Sequence, residues 1–446
     1  MKVVYLVAGA SGMYCGACLH SNTLAAAVSQ LGHDVLLLPA YTPVVTDEDS
    51  PATGRMVFGG LNVYLQERSW VFRHTPWLVD RLLDHPFLLR WIARLSASRR
   101  PEQLGAMAVS MLRGEQGRQR KELEKLLHWL QRGVRPDLVH LSTVMLVGTA
   151  RQIQKRLGVP VIGTLAGEDA FLERIGPPHR AQALQALAER CAELPALVAL
   201  NRYYADFAAG YLSIPRDRIH VITPGLNLAG HRALGGWPRP NEPEAPPPGS
   251  DFSSGVFTIG YLARICPEKG LHLLAEAFES LAAQDGLPGL RLVAAGYLDP
   301  ADRPYLAAIQ SRLAERGLAG QFEYAGSPDR AGKIALLQSF DVMCVPTVYP
   351  ESKGLYALEA WANGVPTVLP AHGAFPEMVA DTGGGLLAAP NDPSSLAQSL
   401  RRLILDRHLA AECGRKAQQA VYDRYHAERM ARQTIELYQA LLARKE

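Results

Sequence analysis

The chain has no apolar run long enough to span a bilayer, few cysteines and almost no net charge. A helical span needs about 20 consecutive apolar residues, so a membrane-spanning helix is excluded. The formal net charge of +3 is too small to mark a nucleic-acid binder. The six cysteines, Cys15, Cys18, Cys191, Cys266, Cys344 and Cys413, are scattered, which fits a reducing compartment and excludes a disulfide framework. Only one C-x-x-C occurs, Cys15 to Cys18, so no four-cysteine zinc site can be completed. The stretch Met1 to Ala8 carries no cleavage-site pattern and reads as a buried first strand, not a signal peptide. The expected location is cytoplasmic. The glycine loop after it, residues 9–16, is neither G-x-G-x-x-G nor a Walker loop, so dinucleotide or ATP binding is not indicated.

What is present is globular. Hydrophobic residues make up 48% and charged residues 20%, and 446 residues suit two domains of ordinary size. Short apolar runs at 3–7, 35–38, 138–141, 161–164 and 197–200 alternate with helical patterns such as 24–31 and 181–193. Strands buried on both faces read as such runs, and the alternation predicts a doubly wound α/β domain. Prolines and glycines then crowd residues 235–249, where no packed element tolerates them. The rhythm restarts at 257–262, 290–294, 321–324, 342–345 and 367–369. The predicted organisation is an N-terminal domain over 1–228, a proline-rich connector over 229–255 and a C-terminal domain over 256–427. A long helical stretch, about 70–132, interrupts the first domain as an insertion. Within it, residues 68–100 hold seven arginines and two aspartates. That segment reads either as a packed insertion or as a basic amphipathic surface for peripheral contact with a membrane, at its inner face, or with an anionic acceptor.

Two stretches carry chemistry. In Pro350-Glu351-Ser352-Lys353-Gly354-Leu355-Tyr356-Ala357-Leu358-Glu359, a strand gives way to a helix through a glycine turn. Helix N-termini bind phosphates through free N–H groups and the dipole. Glu351 and Glu359 are eight residues apart, up to about 12 Å at the helical rise, roughly the span from a sugar across a diphosphate to a ribose. Carboxylates accept well from pairs of hydroxyls; taken alone, the pair reads equally as two exposed helix glutamates. The second stretch, residues 260–270, places Arg264 and Lys269 in one strand–helix loop. Two cations there suit a diphosphate, whose charge grows as it leaves, and in open α/β sheets ligands bind beyond the carboxyl ends of strands.

These segments, "GYLARICPEKGLHLLAEAF", "LVAAGYL", "FEYAGSPDRAGKIALLQSFDVMCVPT" and "ESKGLYALEAWANGVPTVLPAHGAFPEMV", resemble in order and spacing the signatures of retaining GT-B glycosyltransferases of family 4. The resemblance is strong over 256–400 and weaker in the N-terminal half, where "RIHVITPGLNL" is similar to the domain-exit segment. It implies two Rossmann-like domains facing an interdomain cleft, with a C-terminal helix, about 428–446, packing back on the first. It implies that Arg264 and Lys269 hold the donor diphosphate and that Glu351 bonds the transferred sugar. Ser352, Lys353, Gly354, Leu355 and Tyr356 would cradle phosphate through their backbone, and Glu359 would hold the ribose. Gly12 would bring backbone amides to the reacting groups. The family often has an aromatic residue where Lys353 stands, and a histidine where Ala166 stands, next to the donor sugar. Glu168 or Asp169 could take over that contact; equally, they read as N-caps of the next helix. Tyr14, Cys15 and His20 are candidate lining of an acceptor pocket.

The expected activity is hexosyl transfer, with retention, from a nucleoside diphosphate sugar (UDP-linked) to an acceptor that is a small molecule, a glycan or lipid-linked. No cofactor, metal or nucleic acid is expected; no D-x-D occurs in a donor-site context. Two rival readings are a redox enzyme using Cys15 and Cys18 beside a Rossmann domain and a non-catalytic nucleotide-sugar sensor of the same fold.

Overall fold

The structure, a computed structural model, describes residues 1–9, 16–44, 46–48, 50, 101–234 and 255–444. The chain divides into two compact units, one of Met1–Thr223 with Ala427–Glu446 and one of Pro224–His426. The basic segment 68–100 and the proline-rich run fall outside the described residues.

The first unit is built on six parallel strands: β1 (Lys2–Val7), β2 (Asp34–Pro39), β3 (Leu138–Leu141), β4 (Val161–Leu165), β5 (Leu197–Ala199) and β6 (Ile219–Val221). Their spatial order is β2-β1-β3-β4-β5-β6. Both faces of β1 are covered, and its side chains alternate between two cores. Val3, Tyr5 and Val7 meet Leu24 and Val28 of helix Gly16–Gln30 and Met430 and Tyr438 of helix Ala427–Ala443. Val4 and Leu6 face the opposite core, which includes Leu112, Leu123, Leu126 and Leu127. Those leucines lie on helices Pro101–Arg113 and Arg120–Trp129, the described part of the expected insertion, and they share one apolar face of each helix.

The second unit repeats the plan with β7 (Phe257–Leu262), β8 (Leu290–Ala295), β9 (Phe322–Tyr324), β10 (Val342–Cys344), β11 (Thr367–Pro370) and β12 (Gly385–Ala388). The order is β12-β11-β10-β7-β8-β9. The chain winds outward from β7 to β9, returns to β10 beside β7, and winds outward the other way. The topological switch therefore lies between β7 and β10, which pair in parallel through Val342–Ile259 and Met343–Gly260.

Two strands escaped sequence reading. β6 has three residues and β12 four, each at a sheet edge and partly exposed. Edge strands bury one side only, so they lack the continuous apolar run that betrays a central parallel strand. The chain enters the second unit at Pro224, whereas composition placed the break after residue 228. Within that unit the Leu226 N–H bonds the Tyr425 carbonyl at 2.8 Å, and the Arg232 carbonyl accepts from Gln418 at 3.0 Å and Tyr422 at 2.8 Å. These are long-range bonds that composition cannot register.

Candidate functional site

The loops that leave β7 and β10 emerge side by side at the switch point, where open α/β sheets bind ligands. They are joined to each other: the Val348 N–H bonds the Glu268 carbonyl at 3.0 Å. The first loop closes in a tight turn, Pro267–Lys269, capped by Gly270 at φ +75°. A β-carbon on Gly270 would stand 1.9 Å from the Pro346 carbonyl oxygen, so only glycine lets the loops approach this closely. Helix Leu271–Ala282 follows, as expected.

That turn carries Lys269 into a nearly closed setting. Lys269 is 9% exposed and Glu351, from the second loop, is 7% exposed. The Lys269 Nζ donates to Glu351 Oε2 at 2.5 Å and to the Tyr349 hydroxyl at 2.8 Å. Tyr349 in turn donates to the same Oε2 at 3.2 Å. The ammonium also lies 5.1 Å from the Tyr349 ring centre and 5.3 Å from that of Tyr356, a cation–π arrangement. Burial alone would lower the Lys269 pKa, but the Glu351 carboxylate and the Tyr349 oxygen outweigh it and hold the group above its ordinary range. For Glu351, burial pushes upward, and Lys269, with Lys353 and Tyr349, pulls the carboxyl below the usual range. Both groups are therefore charged at neutral pH.

An ammonium has three protons and a carboxylate two oxygens. Among the described residues, Lys269 uses two protons and Glu351 one oxygen. One N–H and Oε1 remain for a ligand. Gly354, at φ +64°, then opens helix Leu355–Ala362; a β-carbon there would meet Met378 Sδ at 2.9 Å. Ser352 is buried, Lys353 half-buried and Arg264 exposed. Glu359 lies within the helix, and its Oε1 is paired with the Lys333 ammonium of helix Arg330–Ser339. The structure thus brings Lys269 and Glu351 together and gives Glu359 a partner of its own.

Tyr349 and Lys333 were missed. Tyr349 reads as one more loop aromatic, and Lys333 as a solvated charge early in a helix; the only available signal was their place inside the recognised segments.

In the first unit, Gly12, Tyr14 and Cys15 lie outside the described residues. Cys18 is a buried free thiol. His20 is buried at 7% exposure on helix Gly16–Gln30. Glu168 is enclosed: it accepts from Thr143 at 2.5 Å and from the Ala166 N–H at 2.8 Å. Asp169 accepts from the Tyr204 hydroxyl at 2.7 Å. Neither acid caps the short helix Glu168–Leu172, whose N-cap is Gly167 at φ +91°. A cavity of about 510 Å³ beside Lys416, Asp423 and Arg424 involves none of these residues.

Two family models match the chain: "Glycosyl transferases group 1" over residues 247–420 and "Glycosyltransferase Family 4" over residues 97–229. Among curated relatives, a D-inositol 3-phosphate glycosyltransferase of Corynebacterium urealyticum is 29% identical over 53% of this chain and 54% of its own length. The chain thus spans about half the length of that relative. One from Stackebrandtia nassauensis is 28% identical over 80% of this chain and 81% of its own. Among solved structures, a sucrose-phosphate synthase of Thermosynechococcus elongatus superposes with a TM-score of 0.71 at 19% identity, covering 100% of both chains. Anabaena HepE in complex with UDP-glucose does so at 0.66 and 16%, covering 99% of this chain and 100% of its own. At such identities the structures speak to the fold alone.

Proposed function

We propose that this chain, which belongs to the GT-B glycosyltransferases of family 4, transfers a hexose-type sugar from a UDP-linked donor with retention at the anomeric carbon. The observation that carries the reading is the buried Lys269–Glu351 pair, which keeps one N–H and one carboxylate oxygen for a ligand at the switch point. Lys269, with Arg264 in the same loop, offsets charge growing on the leaving diphosphate. Glu351 accepts from hydroxyls of the transferred sugar. The N–H groups of residues 352–356, at the start of a helix, face phosphate oxygens. Glu359, held by Lys333, accepts from the ribose.

The step is a front-face substitution. The bond from the anomeric carbon to the phosphate oxygen breaks, the bond to the acceptor oxygen forms on the same face, and the acceptor proton passes to the leaving phosphate. No protein base is then needed, and the two cations and the helix N-terminus stand in for a metal. The acceptor is a small molecule, a glycan or a lipid-linked molecule. The UDP-glucose complex of a neighbour with the same fold supports the choice of nucleotide.

The test is a screen of nucleoside diphosphate sugars for thermal protection, followed by turnover with EDTA present and NMR of the product anomer. One UDP-sugar should protect, react despite the chelator and keep its anomeric configuration. Inversion, or a loss of turnover restored by magnesium or manganese, would overturn the mechanism.

A further inference from the structure

We propose that Tyr349 is the positioning residue of this site. Its hydroxyl takes one N–H of Lys269 and gives its own proton to Glu351, leaving the third N–H of Lys269 for the diphosphate and Oε1 of Glu351 for the sugar. The inference rests on the donor site proposed above.

The need for such a residue follows from the chemistry of the pair. A buried ammonium and carboxylate attract strongly and could collapse into a two-point contact that satisfies both and leaves nothing for a ligand. A phenol prevents this because it both accepts and donates. Bonded to Nζ at 2.8 Å and to Oε2 at 3.2 Å, it occupies one proton of the first group and a second lone pair on an oxygen already in use. Its own place is set by the backbone: Val348, just before it, is tied to Glu268 of the neighbouring loop, and Glu351, just after Pro350, is fixed by the Ala374 N–H bonding its carbonyl at 2.8 Å. Tyr349 thus acts through Lys269 and Glu351 and touches no substrate atom itself.

One consequence is specific to this role. The Tyr349 proton bonds the ionised carboxylate, and such a bond favours ionisation. The other groups facing Glu351 are Lys269 from the loop after β7, Lys353 on its own loop and Tyr356 from helix Leu355–Ala362. His372, on the loop after β11, donates from Nε2 to the Thr347 carbonyl at 2.9 Å. None of these is altered by Tyr349→Phe, which removes one oxygen and keeps the ring. Loss of that proton should raise the pH at which Glu351 becomes protonated.

The experiment has two arms. In the first, kcat/KM of wild type and Tyr349→Phe is followed from pH 4 to 9. The acidic limb should move up by about half a pH unit or more, with a roughly three- to tenfold fall at the plateau. In the second, the Glu351 carboxyl is titrated by carbon-13 NMR without ligand and assigned by its loss in Glu351→Gln. Its midpoint should rise in Tyr349→Phe. An unmoved limb with activity lowered equally at all pH, or an unmoved carboxyl midpoint, overturns the proposal. If wild type turns over no nucleotide sugar, the functional reading fails, and the NMR arm alone decides on Tyr349.

Discussion

Burying an ammonium beside a carboxylate costs several kcal/mol per ion unless each is matched, and Lys269 and Glu351 are matched to each other before any ligand arrives. The match has a consequence for product. When the sugar has left, Glu351 still neutralises the ammonium that would hold the diphosphate. Removing the carboxylate's charge should therefore leave Lys269 seeking an anion. Glu351→Gln is expected to bind free nucleoside diphosphate about three- to tenfold more tightly while kcat falls steeply, because the lost contact is to the group that moves in the transition state. Glu359→Gln should do the reverse, weakening that affinity by roughly 1–3 kcal/mol through lost hydroxyl bonds to a charged acceptor. Calorimetry on both variants checks this; the opposite ranking would mean the donor runs the other way along the helix. The residue types and spacing were legible in the sequence. That Lys269 meets Glu351 directly was not, since their loops are 82 residues apart and meet only because β7 and β10 are neighbours.

Elements explain why those loops can meet. Gly270 caps the turn Pro267–Lys269 in the left-handed region and sits against the Pro346 carbonyl. Gly270→Ala adds a β-carbon to a contact of 1.9 Å with a backbone atom, which no rotamer change can relieve. It should destabilise the second unit by about 2 kcal/mol or more and lower donor affinity as Lys269 shifts. A denaturant midpoint equal to wild type would show that the turn is free to move. Central strands such as β7 and β10 were legible because burial on both faces demands apolar residues without a break. β6 and β12 were not, because at the edge that demand lapses. The short helix Glu168–Leu172 likewise takes its N-cap from Gly167, a choice that the two acids after it conceal.

At the scale of the whole molecule, the two units have the same plan, and the chain's final helix belongs to the first of them. Tyr438 of Ala427–Ala443 hydrogen-bonds Tyr5 of β1 and His140 of β3, the latter at 2.6 Å, and His140 also meets Thr164 of β4 at 2.8 Å. Ending the chain at His426 would uncover Val3, Tyr5 and Val7 and strip partners from buried polar groups. The first unit should then melt well below its wild-type Tm; an unchanged calorimetric trace would contradict this packing. The same network predicts a pH dependence. Burial, aided by nearby His20, depresses the His140 pKa from 6.5 to about 3. The imidazole is neutral when folded and protonates near its ordinary pKa when unfolded. Its contribution to stability is full above about pH 6.5 and is lost as pH falls toward 3. Between pH 6 and 4 the wild type should lose up to about 1.4 kcal/mol per pH unit more than His140→Asn. Parallel denaturation curves for the two would refute it.

What the sequence determined by itself is what local physics governs: apolar runs for strands covered on both faces, the glycine turn before Leu355, the cations and glutamates in two strand–helix loops, and the ordered segments that place the chain in its family. What only the tertiary structure decided is pairing across the sheet order. Lys269 with Glu351 and Tyr349, Glu359 with Lys333, and Tyr438 with Tyr5 and His140 are contacts between residues distant in the chain. Side-chain charge and hydroxyl chemistry are visible at each position singly. Which partner quenches, orients or ionises a group depends on neighbours that sheet topology supplies, and topology is a property of the folded chain.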